Sequence, residues 1–351
     1  MELKKLVDKA HESVLFTAPH LEKDLAMFFR EWSGEVEALA KRTKESGIKR
    51  IFWVGSGNSW TNLYSGHYVL NKFSAVPSQF YQAYEFIWQD PKGVDSDSLV
   101  ILASFSGNTE DTVAALRFAK EKGAHTVAIV SKKDSLMGKE ADVVIDYGSN
   151  ALYIIPLAAS YLLSLELARL SGAPVQKTID ELKSMPALLG KLYRESEARS
   201  KKLAEEYKDC NLFYLLSSGP LFGLGYKFCV TVFMENMRVH ASFIDTPEFR
   251  HGPAEMLDRE DPVMVFLVGT DESREMSERV IKTAQDNGAS VILFDAAEYG
   301  LKDPLLSPFV LMVPLQWFAV YSAFLRGITD LDQRVLMGRG KMAKGDQVTW
   351  P

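Results

Sequence analysis

Apolar and polar positions change rhythm several times along the chain. From about residue 1 to 47, Leu, Ala, Phe and Val recur at three- and four-residue intervals among Glu and Lys, which predicts two amphipathic helices ending near Gly47. The run Ile51-Phe52-Trp53-Val54 lacks that interval and reads as a short buried strand, closed by Gly55-Ser56-Gly57-Asn58-Ser59 and followed by a helix towards Phe73. Leu99-Val100-Ile101-Leu102-Ala103 is a second buried strand; Ser104 to Thr109 follow it, then a helix through Ala119 that stops at Gly123, then the strand Thr126-Val127-Ala128-Ile129-Val130. Buried strands alternating with helices of this length predict βαβ units, hence a parallel sheet covered on both faces. Residues 151–207 read as helical throughout, with breaks at Gly172-Ala173-Pro174 and Gly190.

Past residue 207 the pattern starts again. Leu212-Phe213-Tyr214-Leu215-Leu216 and Ser217-Ser218-Gly219-Pro220 stand where the first strand and its loop stood, an offset of 162 (Gly219 against Gly57). The strand at Val263 echoes the one at Leu99 at an offset of 164, and Gly288 echoes Gly123 at 165. A nearly constant shift of this size predicts a duplicated domain rather than a solenoid. The expected fold is α/β, with two similar doubly wound parallel-sheet domains: N-terminal helices at 1–47, a first domain at 48–170, a helical bridge at 171–207, a second domain at 208–330 and a C-terminal lid tail at 331–351.

Composition narrows the function. With 47% hydrophobic and 25% charged residues the chain can bury sizeable cores, and its net charge of −6 argues against a general nucleic-acid or acidic-membrane binder. Two cysteines, Cys210 and Cys229, are too few for a disulfide framework and lack metal-ligand spacing, which fits a cytoplasmic setting. The start Met1-Glu2-Leu3-Lys4-Lys5 has no signal-peptide core, and no stretch reaches 18 uninterrupted apolar residues, so no membrane span is expected.

An anionic ligand must then be held by local donors, and Ser104-Phe105-Ser106-Gly107-Asn108-Thr109 supplies them where a strand hands over to a helix. Open α/β sheets bind ligands at such points. Free N–H groups and the helix dipole at a helix start suit a dianionic phosphate without any Lys or Arg. Gly107 permits close approach, and Glu110 and Asp111 are expected to point outward, because inward carboxylates would repel phosphate. A plain helix cap by Ser106 or Asn108 is the competing reading, but a cap needs one such residue and four crowd here. Gly55-x-Gly57 lacks the third glycine of a dinucleotide fingerprint. Ser56, Gly57 and Ser59 read instead as a second wall of a sugar-phosphate pocket.

These residues resemble the sugar isomerase (SIS) fold, whose phosphate loop runs roughly Ser-x-Ser-Gly-x-Thr-x-(Glu/Asp)-Thr, as Ser104 to Thr112 do. The resemblance implies two flavodoxin-like SIS domains, like the tandem isomerase domain of glucosamine-6-phosphate synthase. In that family a Glu near the end of a long helix precedes by sixteen residues the His of a Glu-x-x-His-Gly-Pro motif. Glu235 and His251 have that spacing, and Glu248-Phe249-Arg250-His251-Gly252-Pro253 is the motif. The resemblance implies catalytic roles for Glu235 and His251, and for Lys344 on a tail that covers the site. It also implies a homodimer with shared sites.

No glutaminase segment with an N-terminal Cys is visible in the sequence, which leaves isomerisation or removal of an amine from a fructosamine phosphate. Length and layout resemble the bacterial deglycases of fructoselysine 6-phosphate and related Amadori compounds. A histidine titrating near 6.5 suits ring opening by His251, and a carboxyl raised from about 4.3 by burial suits C1–C2 proton transfer by Glu235. No metal or other cofactor is expected; the expected partner is a small-molecule sugar phosphate, with no nucleic acid and no membrane. Three alternatives stay open: an aldose–ketose isomerase, a glucosamine-6-phosphate deaminase, and a non-catalytic sugar-phosphate sensor.

Overall fold

The computed structural model describes residues 3–258, 261–333, 343–344 and 347–348. The chain opens with α1 (Leu3–Ala10) and α2 (Leu21–Glu45), and Gly47 ends this helical start with a φ of +70° that a side chain would disfavour. Two compact units are formed, one from Lys23–Lys183 with Gln333–Pro351, the other from Met1–Glu22 with Ser184–Asp332.

The unit that begins at Lys23 carries, after α2, the elements β1 (Arg50–Gly55), α3 (Gly57–Phe73), β2 (Ser78–Gln82), α4 (Ala83–Gln89), β3 (Ser98–Ser104), α5 (Glu110–Glu121), β4 (His125–Val130), α6 (Leu136–Glu140), β5 (Val143–Asp146) and α7 (Ile154–Leu170). Its sheet runs β2-β1-β3-β4-β5, all parallel, with Ile51 beside both Ser78 and Leu99. That is the flavodoxin-like order, whose ligand crevice lies at the carboxyl ends of β1 and β3. Every residue of β3 is buried, because helices cover both faces. Residues 154–168 of α7 are buried on all sides, and the helix packs closely on α3: Ser164 donates to the Gly66 carbonyl at 2.7 Å, and a Cβ on Gly66 would stand 2.7 Å from that of Ser160.

His67 on α3 donates or accepts at Ser78 Oγ (2.8 Å), which also receives the Trp53 indole N–H at 2.9 Å. Burial pulls this imidazole down to about 4. Since the unfolded chain takes up that proton near 6.5 and the folded one refuses it until about 4, the contribution to stability is whole above pH 6.5 and is lost as pH falls towards 4, with a slope of at most about 1.4 kcal/mol per pH unit. The urea midpoint of the native protein is therefore expected to drop more between pH 7 and pH 4.5 than that of His67→Gln; equal drops would refute this.

α8 (Gln176–Glu206) follows, and the division between units falls within it. The break expected at Gly190 is absent, for the helix runs through it. Glycine stands there for space: a Cβ would meet Glu22 Oε2 at 1.8 Å.

The second unit continues with β6 (Leu212–Ser217), α9 (Phe222–Lys227), a π-helical stretch Phe228–Met237, β7 (His240–Asp245), β8 (Val263–Val268), α10 (Arg274–Asp286), β9 (Ser290–Asp295) and α11 (Ser307–Leu325). Its parallel sheet runs β7-β6-β8-β9, repeating the order of the first four strands of the other sheet. Among the described residues one helical segment, Pro304–Leu325, is long and apolar enough to cross a membrane by length and composition, with a mean hydropathy of 1.6. It serves as a core helix instead, with 94% of that window buried inside the protein, because its apolar surface faces the other elements of its unit.

Candidate active site

At the crevice of the first sheet the loop after β3 is built from its own polar groups. Ser104 is 3% exposed; its hydroxyl lies 2.8 Å from that of Thr109 and accepts the Gly107 N–H at 3.1 Å. Ser106 Oγ accepts the Asn108 N–H at 3.1 Å, and Asn108 Oδ1 accepts the Leu136 N–H at 2.9 Å. Gly107 has φ +66°, and a Cβ there would stand 2.1 Å from Ser135 Oγ. Each polar residue of the loop is thus engaged in shaping it. Neither Ser106 nor Asn108 caps α5, and the N-cap residue, Thr109, makes no side-chain cap hydrogen bond. The first-turn N–H groups therefore keep the positive end of the helix open to an anion.

The loop after β1 meets this one. Ser56 donates to Asp111 Oδ2 at 2.6 Å, which corrects the outward placement expected of Asp111: the carboxylate is half-buried and turned to the neighbouring loop, where a hydroxyl donor awaits it. Glu110 is exposed, as expected, and accepts from the Tyr84 hydroxyl at 2.9 Å. Gly57 has φ +53° with open space beside it, while Ser59 is 8% exposed inside the first turn of α3.

The counterpart loop after β8 differs in one respect. Asp271 is 8% exposed; its Oδ1 accepts the Ser273 N–H at 2.9 Å, and Oδ2 lies against Gly269, 2.2 Å from where a Cβ would be. A carboxylate thus shapes this loop, where the loop after β3 uses hydroxyl and amide groups, and the N-cap of α10, Ser273, makes no side-chain cap hydrogen bond either. The two halves share strand order but differ in the polar residues of this loop.

Glu235 lies in the π-helical stretch of that second unit, half-buried, two residues before its end. The stretch stops at Arg238, a non-glycine residue with φ +55°, and such strain gathers beside functional groups. After β7, Thr246–His251 forms 3-10 turns begun by Pro247 and anchored by Phe249, which is 2% exposed. His251 ends them at the surface, so it is not a buried structural histidine. Its Nε2 accepts from Arg250 Nε at 3.1 Å. Gly252 turns the chain with φ +142°.

Lys344 falls in the two-residue strand β10 (Ala343–Lys344), paired antiparallel with β11 (Gln347–Val348). The rest of the expected lid beyond residue 333 lies outside the described residues.

The structure adds a group that the sequence reading passed over. Lys227 is 7% exposed, and burial pulls its ammonium down to about 8 while the charge of Glu235 acts to raise it. Its signal was visible, since Lys227 is the only charged residue between Leu212 and Met234.

Comparison with known proteins shows the family. A family model described as SIS domain matches residues 46–171. The fructoselysine 6-phosphate deglycase of Escherichia coli (strain K12) is 33% identical over 307 residues, covering 86% of this chain and 90% of the relative. The chain belongs to the SIS-domain deglycase family. The fructosamine deglycase of Bacillus subtilis (strain 168) is 32% identical, covering 76% of this chain and 82% of its own. A crystal structure of a Bacillus subtilis protein described as a phosphosugar isomerase superposes with a TM-score of 0.80 at 30% identity, over 87% of this chain and 96% of that one. The protein is a phosphosugar enzyme of this family, with an α/β fold of two parallel sheets.

Proposed function

We propose that the enzyme cleaves a fructosamine 6-phosphate, such as fructoselysine 6-phosphate, to glucose 6-phosphate and the free amine. The observation that carries this is the uncapped start of α5, ringed by a loop whose hydroxyls are already engaged in holding its shape. Ser104, Ser106, Gly107, Asn108 and Thr109 bind the phosphate, and Ser56, Gly57 and Ser59 form the second wall. Holding the phosphate fixes the open chain for reaction at its other end.

His251 opens the sugar ring by moving a proton from the ring hydroxyl to the ring oxygen. Glu235 takes a proton from C1 while the substrate's ammonium proton passes to O2, giving an enaminol, and then returns its proton to C2, giving a protonated imine. Water then adds to C1 of the imine, the C1–N bond breaks with proton transfer to nitrogen, and the aldehyde and amine part. Lys344, on the tail, completes the set. The active form is a homodimer in which one subunit supplies His251 to the other's site, so mixing Glu235→Ala with His251→Ala protein restores activity through hybrids.

Incubation with fructoselysine 6-phosphate is expected to release lysine and glucose 6-phosphate in equal amounts, read by chromatography of the free amine. Absence of lysine, together with turnover of fructose 6-phosphate or glucosamine 6-phosphate, would replace this reading with an isomerase or a deaminase.

A further inference from the structure

The π-helical stretch that carries Glu235 ends beside a groove of about 610 Å³, lined by Leu212, Met234, Arg238, Val239, His240 and Ala241. Small-molecule sites occupy this size range, about 300 to 1,000 Å³. Met234 and Arg238 stand four residues apart, close to one helical turn, and Glu235 lies within that turn. Met234 is 44% exposed and Leu212 37%. Val230, four residues before Met234, is exposed as well. Of the four large apolar side chains exposed among the described residues, two border the groove and a third lies one turn from it, a clustering that marks a binding surface.

Arg238 closes the stretch with φ +55°, and its N–H and that of Val239 both go to the Phe233 carbonyl. Backbone groups alone make that turn, and glycine takes such a position at lowest cost. The reason for arginine therefore lies in its side chain. A cation at an exposed helix end gains little, because solvent and salt screen it. The groove gives the guanidinium a stronger use. Its lining carries two basic side chains, Arg238 and His240, and no carboxylate, among the apolar Leu212, Met234, Val239 and Ala241. The complement of such a surface is an anion on a hydrocarbon stem. A guanidinium fits a carboxylate best of all, through two parallel N–H···O bonds.

We propose that this groove holds the amino-acid part of the substrate, with Arg238 binding its carboxylate and Met234 and Leu212 covering its carbon stem. The inference rests on the deglycase reading and deepens it, by naming the residue that selects the amine.

The test compares two fructosamine 6-phosphates, one made from lysine and one from cadaverine, which is lysine without its carboxyl group. Native enzyme is expected to show kcat/KM about tenfold or more higher for the lysine compound, and Arg238→Gly to bring the two within about threefold, chiefly through KM. Glycine suits φ +55°, so the variant keeps its Tm near native and a folding defect does not stand in for lost recognition. No native preference, or a preference that survives in Arg238→Gly, overturns the proposal.

A second copy of this chain is the other occupant. If Met234→Lys lowers the mass seen in sedimentation equilibrium while the preference for the lysine compound persists, the groove is a subunit contact and the proposal falls. If native enzyme releases amine from neither compound, the deglycase reading fails, and calorimetry with free lysine and free cadaverine, in the presence of glucose 6-phosphate, decides the groove. Lysine bound about tenfold tighter, with the difference lost in Arg238→Gly, upholds it, and equal binding overturns it.

Discussion

Glu235→Gln is expected to lower kcat for amine release by about 10² to 10⁴-fold, the range over which a positioned acid–base group contributes, while leaving Tm and sugar-phosphate binding near native. The amide is nearly isosteric with the carboxyl but cannot carry a proton between C1 and C2. Phosphate affinity should survive, because the loop at Ser104–Thr109 belongs to the other compact unit and shares no residue with the π-helical stretch. Measuring glucose 6-phosphate binding by calorimetry beside the rate of lysine release separates the two roles. A variant with native rates removes Glu235 from the chemistry, and one that neither binds nor turns over signals a folding defect.

Gly107→Ala is expected to produce the opposite division, raising KM for the sugar phosphate tenfold or more with a smaller change in kcat. Two costs act together. The residue has φ +66°, which costs an L side chain about 1 kcal/mol or more, and its Cβ would press on Ser135 at 2.1 Å from Oγ and 2.6 Å from Cβ. Relief of that clash requires the α5 loop to move, and the hydrogen bonds that Gly107 makes with Ser104 move with it. Adding Ser135→Gly removes the clash but not the backbone strain, so the double variant should recover part of the lost affinity. If it recovers none, the steric account of the loop is wrong; if Gly107→Ala alone binds normally, the loop is not the phosphate anchor.

How much could be read without the fold differs from residue to residue. The strands at Ile51, Leu99, Thr126, Leu212 and Val263 were plain, because a strand buried on both faces must be apolar along its whole length. β2, with Gln79 and Gln82 on a half-exposed edge, has no such run, and the four-residue β5 is too short to stand out. Gly190 read as a break since glycine weakens helices, and its actual reason, the room needed by Glu22, depends on a residue 168 positions away. Asp111 was expected to face outward by a sound rule about phosphate, yet Ser56 from a neighbouring strand's loop holds it inward.

By itself the sequence determined the duplicated α/β plan and the identity of the candidate groups, since periodicity and motif spacing are properties of the chain alone. Tertiary structure decided which groups meet at the start of α5: Ser56, on the loop after β1, holds the Asp111 carboxylate, and Asn108 Oδ1 takes the Leu136 N–H. It also decided that Lys227 is buried. Both outcomes depend on distances between groups and on exclusion of water, and neither quantity exists until the chain has folded.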